Sequence, residues 1–334
     1  MSRQPNLSRR AAAARLASLA GGAVAMNALP GLAWAQGAYP QRPITLIAPF
    51  GGAVDTLARL IAQHLGQRLG TSVIVDLKLG GSGTIGCAAI ARAAPDGYTI
   101  GMGTSTALTS APHLIKNPGY DVETSFTYLG LIQTTRQVLV VSPELGVDNV
   151  KDFIALAKSK PGQLNFGSSG IGNTIHLAAE QFNAAVGIDA VHVPHKTGPE
   201  TDMSILAGRV HYAWQSVPSS IGLLRSGKLK ALAVTDETRD PTLPEVPSIR
   251  EAGVTAPLPE QLFGMVAPAK LPPAIRDRLE KAIADMQADP QFQASVRKGG
   301  GEPSTLLGDA FHQRVVSHSR LWGGLIRKLD IKPT

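Results

Sequence analysis

The sequence is poor in cysteine and in aromatic residues: Cys87 is the single cysteine, and Phe, Trp and Tyr make up 5% of 334 residues. One cysteine excludes an internal disulfide bond and a cysteine-based metal cluster. Cys87 lies on the apolar side of a predicted helix, so we expect a buried side chain. After the amino-terminal segment, no apolar run in the sequence is long enough to cross a bilayer.

Acidic residues are absent before residue 36, where Arg3, Arg9, Arg10 and Arg15 lie. The formal net charge of the whole chain is +7, and these four arginines leave +3 for the remainder. That remainder has no basic run interleaved with aromatic residues, the pattern typical of nucleic-acid binding. We therefore expect no nucleic-acid partner.

Residues 1–35 have the composition of an export signal. A basic stretch precedes a weakly apolar run, and Ala33-Trp34-Ala35 has the small residues of a cleavage site. We expect cleavage after Ala35 and a periplasmic location. Ser8-Arg9-Arg10 is similar to a twin-arginine signal, but alanines follow where bulkier apolar residues are usual. Twin-arginine and Sec export both remain open.

The stretch from residue 44 to residue 69 joins a strand to a helix. Ile44–Ala48 is a continuous apolar run, which predicts a strand covered on both faces. Leucine and isoleucine then recur at helical spacing up to Leu69, which predicts an amphipathic helix closed by Gly70. Between them, Gly51 and Gly52 leave backbone amides uncovered at the positive end of the helix dipole. This arrangement is a generic anion site.

The same strand-corner-helix unit returns at residues 163–186, with hydroxyl and amide side chains in its corner. Alternating strands and helices along the chain predict parallel sheets in an α/β fold. Since roughly 300 residues exceed what one core usually organises, we expect two lobes. Residues 36–136 and 260–334 would form lobe 1 and residues 137–259 lobe 2, with strand-end loops of both facing one cleft.

Gly81-Ser82-Gly83-Thr84-Ile85-Gly86 fits the dinucleotide-binding pattern G-x-G-x-x-G. The pattern requires an acidic residue about twenty positions later to bind the ribose, and Gly101–Thr106 contains none. An exported protein also seldom uses a diffusible nicotinamide. Close packing of the loop backbone explains these glycines better than a cofactor does.

A serine hydrolase would need the nucleophile motif G-x-S-x-G. Gly167-Ser168-Ser169-Gly170-Ile171 misses it by one position, because Ile171 stands where the last glycine is required. His176, His192, His195 and His211 follow, so a count of residues leaves a catalytic triad open, but their spacing does not support it. The remaining loops are rich in Ser, Thr, Gly and amides, which can bind a carboxylate without a formal positive charge.

Several stretches together resemble the periplasmic solute-binding receptors of tripartite tricarboxylate transporters, the Bug family, over nearly the whole mature chain. The matching stretches are Tyr39-Pro40-Gln41-Arg42-Pro43-Ile44, Pro49-Phe50, Gly51-Gly52 with Asp55 and Ala58-Arg59, Gly80–Gly86, Ala94-Pro95-Asp96-Gly97-Tyr98-Thr99, Gly167-Ser168-Ser169-Gly170, Val191-His192-Val193-Pro194 and residues 227–235. Their number and order make the resemblance specific.

The resemblance implies a two-lobed type-2 periplasmic binding fold, each lobe a mostly parallel sheet flanked by helices, that closes on a small carboxylate. It implies a receptor, with no catalytic, cofactor or metal site, that acts as a monomer and delivers its ligand to a membrane permease. The ligand-binding residues expected by position are Phe50, Gly51, Gly52, Asp55, Thr104, Ser105, Thr106, Ser168, Ser169, Gly170, Asn173, Thr174, His176, His195, Lys196, Thr197 and Ser216. Among these, Asp55 fits capping or orienting its helix better than touching an anion.

Three positions depart from the family pattern. The Phe50-Gly51 loop is two residues shorter than usual, His195 stands where Tyr is common, and Gln215-Ser216 where Asp-Asn is common. Loss of that Asp removes a partner for a ligand ammonium, so we expect a plain carboxylic acid in preference to an amino acid. If His195 meets the ligand, its protonation near pH 6.5 would strengthen anion binding.

Two other functions remain open from the sequence. In the first, the liganded protein is a ligand-sensing receptor that signals to a membrane sensor kinase. In the second, the protein is a secreted hydrolase that uses Ser168 or Ser169.

Overall fold

The computed structural model describes residues 39–235, 238–256, 258 and 261–331. The export segment and Pro259, the expected last residue of lobe 2, lie outside the described residues. All the strands and helices given below belong to one unit, Arg42–Thr334.

The strand-corner-helix unit forms as predicted. Strand β1, Ile44–Ala48, leads through Gly51 and Gly52 into helix α1, Ala53–Leu69. Gly52 has φ +64°, a left-handed conformation that glycine adopts without steric cost. Gly70 ends the helix in the left-handed region, and its N–H donates to the Gly66 carbonyl.

The first sheet has six strands in the order β11-β4-β10-β3-β1-β2. β1 pairs in parallel with β2 and β3, whereas β10 runs antiparallel to both β3 and β4, and β11 antiparallel to β4. The strands after β1 are β2 (Val73–Leu77), β3 (Thr99–Thr104), β4 (Phe126–Thr135), β10 (Gln261–Pro268) and β11 (Glu302–Pro303).

The second sheet has five strands in the order β7-β6-β8-β5-β9. β6 pairs in parallel with β7 and β8, and β5 runs antiparallel to β8 and β9. The strands are β5 (Gln137–Val141), β6 (Leu164–Ser168), β7 (Ala190–Pro194), β8 (Tyr212–Ser216) and β9 (Lys230–Val234). The α/β architecture of the prediction is confirmed, and both sheets are mixed, because β10 and β11 run antiparallel to their neighbours in the first sheet and β5 does so in the second.

The helices lie between and after the strands. After α1 they are α2 (Thr84–Ala91), α3 (Ala111–Leu114), α4 (Val150–Ser159), α5 (Thr174–Val186), α6 (Gly198–Leu206), α7 (Val217–Arg225), α8 (Pro273–Gln287), α9 (Pro290–Lys298) and α10 (Gly308–Lys328). A π-helix, Thr106–Ser110, leads into α3. No described helix has the length and apolarity that a membrane span requires.

Each sheet has its own apolar core. In the second sheet, Leu139, Phe166 and Trp214 pack with α4 and α5 on one face, while Val138 and Ala213 pack with α6 and α7 on the other. The first sheet packs against α2 and α10. Cys87 of α2 lies in this core with no exposed surface, as predicted, and burial raises its pKa to about 12.

Apolar side chains also join the two halves of the molecule. Leu177 of α5 packs with Trp322, Leu325 and Ile326 of α10 and with Leu114 of α3. The chain itself passes from the first sheet to the second at Arg136, the one residue between β4 and β5. The lobe boundaries placed from the sequence stay a prediction.

Candidate functional site

A cavity of about 270 Å³ lies where strand ends and helix starts of both sheets meet. Its size is close to the lower end of the range for small-molecule sites. It is lined by Phe50, Gly51, Val54, Thr104, Ser105, Thr106, Ser169, Thr174, Ile175, Gly198, Pro199, Gln215, Ser216, Ser219, Gln261 and Phe263.

The loop before α1 supplies part of the cavity wall through Phe50 and Gly51. Gly83 explains how the Phe50 ring is held: a Cβ on Gly83 would lie 2.6 Å from Phe50 Cε2. A Cβ on Gly86 would likewise lie 2.9 Å from Pro49 Cβ. These two glycines therefore allow close backbone packing against the loop, as the sequence predicts.

Four hydroxyl groups on the cavity wall accept hydrogen bonds from the protein. Thr104 Oγ1 accepts from Ala107 N–H at 3.3 Å, and Ser105 Oγ accepts from Leu262 N–H. Ser169 Oγ accepts from Asn173 Nδ2 at 2.8 Å, and Thr174 Oγ1 from Gln261 Nε2 at 3.2 Å. Within the described part of the chain, none of the four donates its own hydrogen to a protein acceptor. Each O–H is therefore left to donate into the cavity.

Gln261 links the two halves of the molecule across this wall. Its Oε1 accepts from Thr135 Oγ1 at 3.1 Å on β4, while its Nε2 reaches Thr174 at the start of α5. Thr174 and Ser105 are almost fully buried, with 2% and 3% exposure. Their hydroxyl groups are thus fixed and desolvated before any ligand arrives.

Another part of the wall is formed by Gln215, Ser216, Ser219 and the start of α6. Ser219 Oγ donates to the Ser216 carbonyl at 2.8 Å, and Ser216 Oγ donates to Ser219 Oγ at 3.3 Å. Gln215 is fully buried, and its Nε2 donates to the Gly198 carbonyl and to Asp202 Oδ1. The hydroxyl hydrogens of Ser216 and Ser219 are therefore donated within this part of the wall.

The electrostatics of the cavity come from helix starts. α1, α5, α6 and α7 each have a cap or first-turn residue on its wall. Each start carries the partial positive charge of the helix dipole and unbonded amides. Of the described lining residues, none bears a formal charge. The arrangement can hold an anion by hydrogen bonds and dipoles alone.

Eight of the residues expected from the sequence lie on the cavity wall, namely Phe50, Gly51, Thr104, Ser105, Thr106, Ser169, Thr174 and Ser216. Gly52 and Asp55 do not. Gly52 is an exposed corner residue, and Asp55 pairs with Arg59 at 3.0 Å, four residues along α1. The helix-orienting role considered for Asp55 fits this ion pair.

Ser168 and His176 face the protein interior and lie outside the cavity wall. Ser168 Oγ contacts His192 Nε2 at 2.7 Å and donates to the Gly170 carbonyl at 3.0 Å. His176 Nδ1 accepts from Gly172 N–H at 3.1 Å. The Ser168–His192 contact is as short as that of a nucleophile and its base, but the Ser168 hydrogen is donated to the Gly170 carbonyl. Ser168 is also buried and lies off the cavity wall, so it cannot meet a ligand in the cavity.

The other expected residues have local structural roles. Asn173 and Thr197 accept from helix N–H groups and cap α5 and α6. Gly170 turns the corner with φ +130°, and the backbone N–H of Lys196 donates to Glu200. His195 is half-buried off the cavity wall, and its Nδ1 has no partner among the described residues.

Sequence reasoning missed eight lining residues: Val54, Ile175, Gly198, Pro199, Gln215, Ser219, Gln261 and Phe263. Val54, Ile175, Gly198 and Pro199 lie in the first turns of helices whose preceding loops were considered. The rule that helix starts face the cleft would have found them. Gln215 was considered only because it stands where the family commonly has Asp. Gln261 and Phe263 lie on β10, the strand that rejoins the first sheet after the second sheet is complete.

The two sheets, the crossing strands and the cavity between helix starts define a solute-binding protein with the two-lobed periplasmic-binding fold. Residues 57–331 match the family described as tripartite tricarboxylate transporter family receptor, TctC, and the chain belongs to this family. The resemblance to the Bug receptors is thereby confirmed.

Related sequences span nearly the whole chain. The UPF0065 protein in the tcbD-tcbE intergenic region of Pseudomonas sp. (strain P51) is 34% identical over 319 residues, which cover 92% of this chain and 92% of that protein. Protein BugT of Bordetella pertussis is 29% identical over 297 residues, covering 88% of this chain and 91% of BugT.

Solved structures of similar proteins include two with carboxylates. R. palustris Rpa4515 with adipate has a TM-score of 0.81 and 32% identity, covering 89% of this chain and 100% of that one. Periplasmic binding protein BugD has a TM-score of 0.77 and 32% identity, covering 88% of this chain and 99% of the BugD chain. MatC from Rhodopseudomonas palustris with bound malate has a TM-score of 0.75 and 25% identity, covering 86% of this chain and 100% of the MatC chain.

Proposed function

We propose that this protein is a non-enzymatic periplasmic receptor that binds a small organic carboxylate in the cavity and delivers it to a tripartite tricarboxylate-type permease. The observation that carries the proposal is the set of four wall hydroxyls at Thr104, Ser105, Ser169 and Thr174. Each already accepts a protein hydrogen bond and keeps its O–H for a ligand.

Hydrogen bonds from these hydroxyls to an ionised carboxylate are charge-assisted and therefore stronger than neutral ones. Four helix starts add partial positive charge within a desolvated cavity, where it acts at a low dielectric. The adipate and malate complexes of related proteins support a carboxylate as the ligand class. We propose that the lobes, divided at residue 136 and again near residue 260, close over the ligand and that the permease recognises the closed form.

A binding screen tests the proposal. Purified mature protein is titrated calorimetrically with acetate, succinate, adipate, citrate, benzoate and glutamate. We expect at least one acid to bind, and Thr174→Val to weaken its binding by about 10- to 100-fold, since a hydrogen bond to a charged group contributes roughly 1.5–3 kcal/mol. Thr127→Val, on β4 and outside the cavity wall, is the matched control. Absence of binding by every acid would overturn the proposal.

The permease role is separated from the sensor role in cells. A deletion strain that loses uptake of the identified acid supports delivery to a permease. Loss of transcriptional induction with uptake intact would instead favour a receptor for a sensor kinase.

A further inference from the structure

We propose that Gln215 is a specificity-determining residue, whose side-chain carbonyl accepts a hydrogen bond from a hydroxyl group on the ligand. The receptor would then bind a hydroxy acid more tightly than the same acid without the hydroxyl. This inference rests on the proposed carboxylate-binding function and names the substrate class within it.

The orientation of the Gln215 amide is fixed by its neighbours. One side of the amide faces the Gly198 carbonyl at 3.1 Å and Asp202 Oδ1 at 3.0 Å. Both of these oxygens are acceptors, so the amino group must lie on that side. Asp202 is itself held by Ser220 Oγ, at 2.9 Å from Oδ2 and 3.2 Å from Oδ1. The carbonyl oxygen of Gln215 is therefore the group that faces away from this network.

Gln215 Oε1 is a buried acceptor without a protein donor. Gln215 has no exposed surface, and its Oε1 has no hydrogen-bond partner among the described residues. Neighbouring Ser216 and Ser219 direct their hydroxyl hydrogens to other acceptors. Because a buried acceptor without a donor costs free energy, a ligand that supplies a donor gains affinity over one that does not.

Gly198 lies beside this oxygen on the cavity wall. Gly198 and Gln215 both line the cavity. A Cβ placed on Gly198 would lie 3.3 Å from Gln215 Oε1 and 3.7 Å from Ser219 Oγ. Because residue 198 has no side chain, no methyl group covers the acceptor. A ligand spanning the cavity can thus place its carboxylate at the hydroxyl wall of Thr104, Ser105 and Thr174 and a hydroxyl at Gln215.

A hydroxyl fits this wall better than an ammonium does. An ammonium has three hydrogens to satisfy, whereas a hydroxyl has one. Of the buried side-chain atoms described on the cavity wall, Gln215 Oε1 is the one without a partner. Asp202 lies behind Gln215, and its oxygens are occupied by Gln215 and Ser220, so it does not face the cavity.

Matched acids test the inference by calorimetry. The pairs are propionate and lactate, succinate and malate, and glutarate and 2-hydroxyglutarate, with aspartate as the ammonium counterpart of malate. For the pair whose plain acid binds best, we expect the hydroxy acid to bind about tenfold more tightly or better, the effect of one hydrogen bond to a buried acceptor. We also expect malate to bind more tightly than aspartate.

Two variants locate the effect at Gln215. Gln215→Leu removes the acceptor, and Gly198→Ala covers it while leaving Gln215 and Asp202 in place. Both are expected to reduce the affinity ratio within the pair to about one, whereas Gln163→Leu, an exposed glutamine before β6, should keep it. Circular dichroism verifies that each variant is folded.

The outcomes separate this inference from the proposed function. Equal affinities for plain and hydroxy acids in the wild-type protein would overturn the role of Gln215 and leave the carboxylate receptor standing. A preference for aspartate over malate, or a tenfold ratio retained in Gly198→Ala, would also overturn it. Binding of none of the acids would instead refute the carboxylate function itself.

Discussion

His192 of β7 packs against two other rings. Its ring centroid lies 3.9 Å from that of His176 and 4.9 Å from that of Phe166, and Ser168 Oγ contacts its Nε2. Burial lowers its pKa to about 3, with the nearby His176 and His195 contributing in the same direction. The folded protein therefore keeps His192 neutral at pH values where the unfolded chain protonates it.

This difference predicts a loss of stability in acid. Between pH 6.5 and about 3 the unfolded state binds more protons at His192 than the folded state, so the free energy of unfolding decreases as the pH falls. We expect His192→Gln, which keeps a polar partner for Ser168, to show a smaller decrease in melting temperature between pH 7.5 and pH 5 than wild type. Parallel decreases in the two proteins would contradict this assignment.

The chemical role of a residue could be predicted from the sequence more readily than the direction in which its side chain points. Thr104 and Ser105 were expected in the site from their position at the end of a strand, and they line the cavity. Ser168 also lies at the end of a strand, but its side chain is turned inward to His192. Gln215 becomes recognisable as an acceptor only once Gly198 and Asp202, 17 and 13 residues away in sequence, are seen to fix its amide.

The corner before α5 is an element fixed by close contact as well as by hydrogen bonds. Gly172 has φ +74°, and a Cβ there would lie 1.9 Å from Leu114 Cδ1. Leu114 is 3% exposed and packed in the cluster with Leu177 and Trp322, so it has little room to move. The glycine allows α5 to approach α3.

We expect Gly172→Ala to lower the free energy of unfolding by roughly 2–4 kcal/mol, through a strained backbone and overpacking. Gly208→Ala is the control: φ is +69° there, but no heavy atom lies within 4 Å of the added Cβ. Chemical denaturation should show a cost of about 1 kcal/mol at Gly208. Equal costs at the two sites would show that the contact with Leu114 contributes nothing.

Asn173 starts α5 by capping it. Its Oδ1 accepts from His176 N–H at 2.8 Å, and its Nδ2 donates to Ser169 Oγ on the cavity wall. Asn149 caps α4 in the same way, through Asp152 N–H at 2.9 Å, but α4 does not line the cavity. The two residues therefore share one structural role and differ in their distance from the site.

We expect Asn173→Ala and Asn149→Ala each to cost about 1 kcal/mol of stability, the usual effect of losing an N-cap. Only Asn173→Ala should weaken binding of the acid found in the screen, because it releases Ser169 and the start of α5. Thermal unfolding and calorimetry measure the two effects separately. Unchanged affinity in Asn173→Ala would show that the cap does not position the site.

Elements with a clear local pattern were predicted from the sequence, whereas β4 and the π-helix were missed. β1 and α1 agree with the prediction because a continuous apolar run and a helical repeat are local signals. β4 was not recognised, although Phe126–Thr135 is nearly all buried. The π-helix Thr106–Ser110 lies where a loop was expected, because its turn depends on packing against α10.

At the scale of the whole molecule, two sheets share one apolar junction at Leu114, Leu177 and Trp322. Each sheet has its own core, but the junction is buried and continuous with helices of both. The energetic consequence is coupling, because neither half can unfold without exposing part of the junction. The pairing of the two halves was expected from chain length, whereas the residues that couple them are distant in sequence.

We therefore expect the mature protein to unfold in a single transition. Trp214 reports on the second sheet and Trp322 on the junction, since both are buried. The variant Trp322→Phe leaves Trp214 as the fluorescent reporter, and Trp214→Phe leaves Trp322. In a urea titration of each variant, we expect the fluorescence and the circular dichroism to change at the same midpoint. Midpoints that separate within a variant would show that the halves unfold independently.

The position of β10 in the first sheet determines the order in which the chain can fold as it is synthesised. β10 lies between β3 and β4, yet it is encoded after every strand of the second sheet. A nascent chain that ends near residue 235 therefore holds all five strands of the second sheet, but β3 and β4 still lack the strand that joins them. The first half of the protein to be made is the last to be completed, and its unpaired strand edges are exposed for as long as translation takes to reach residue 268.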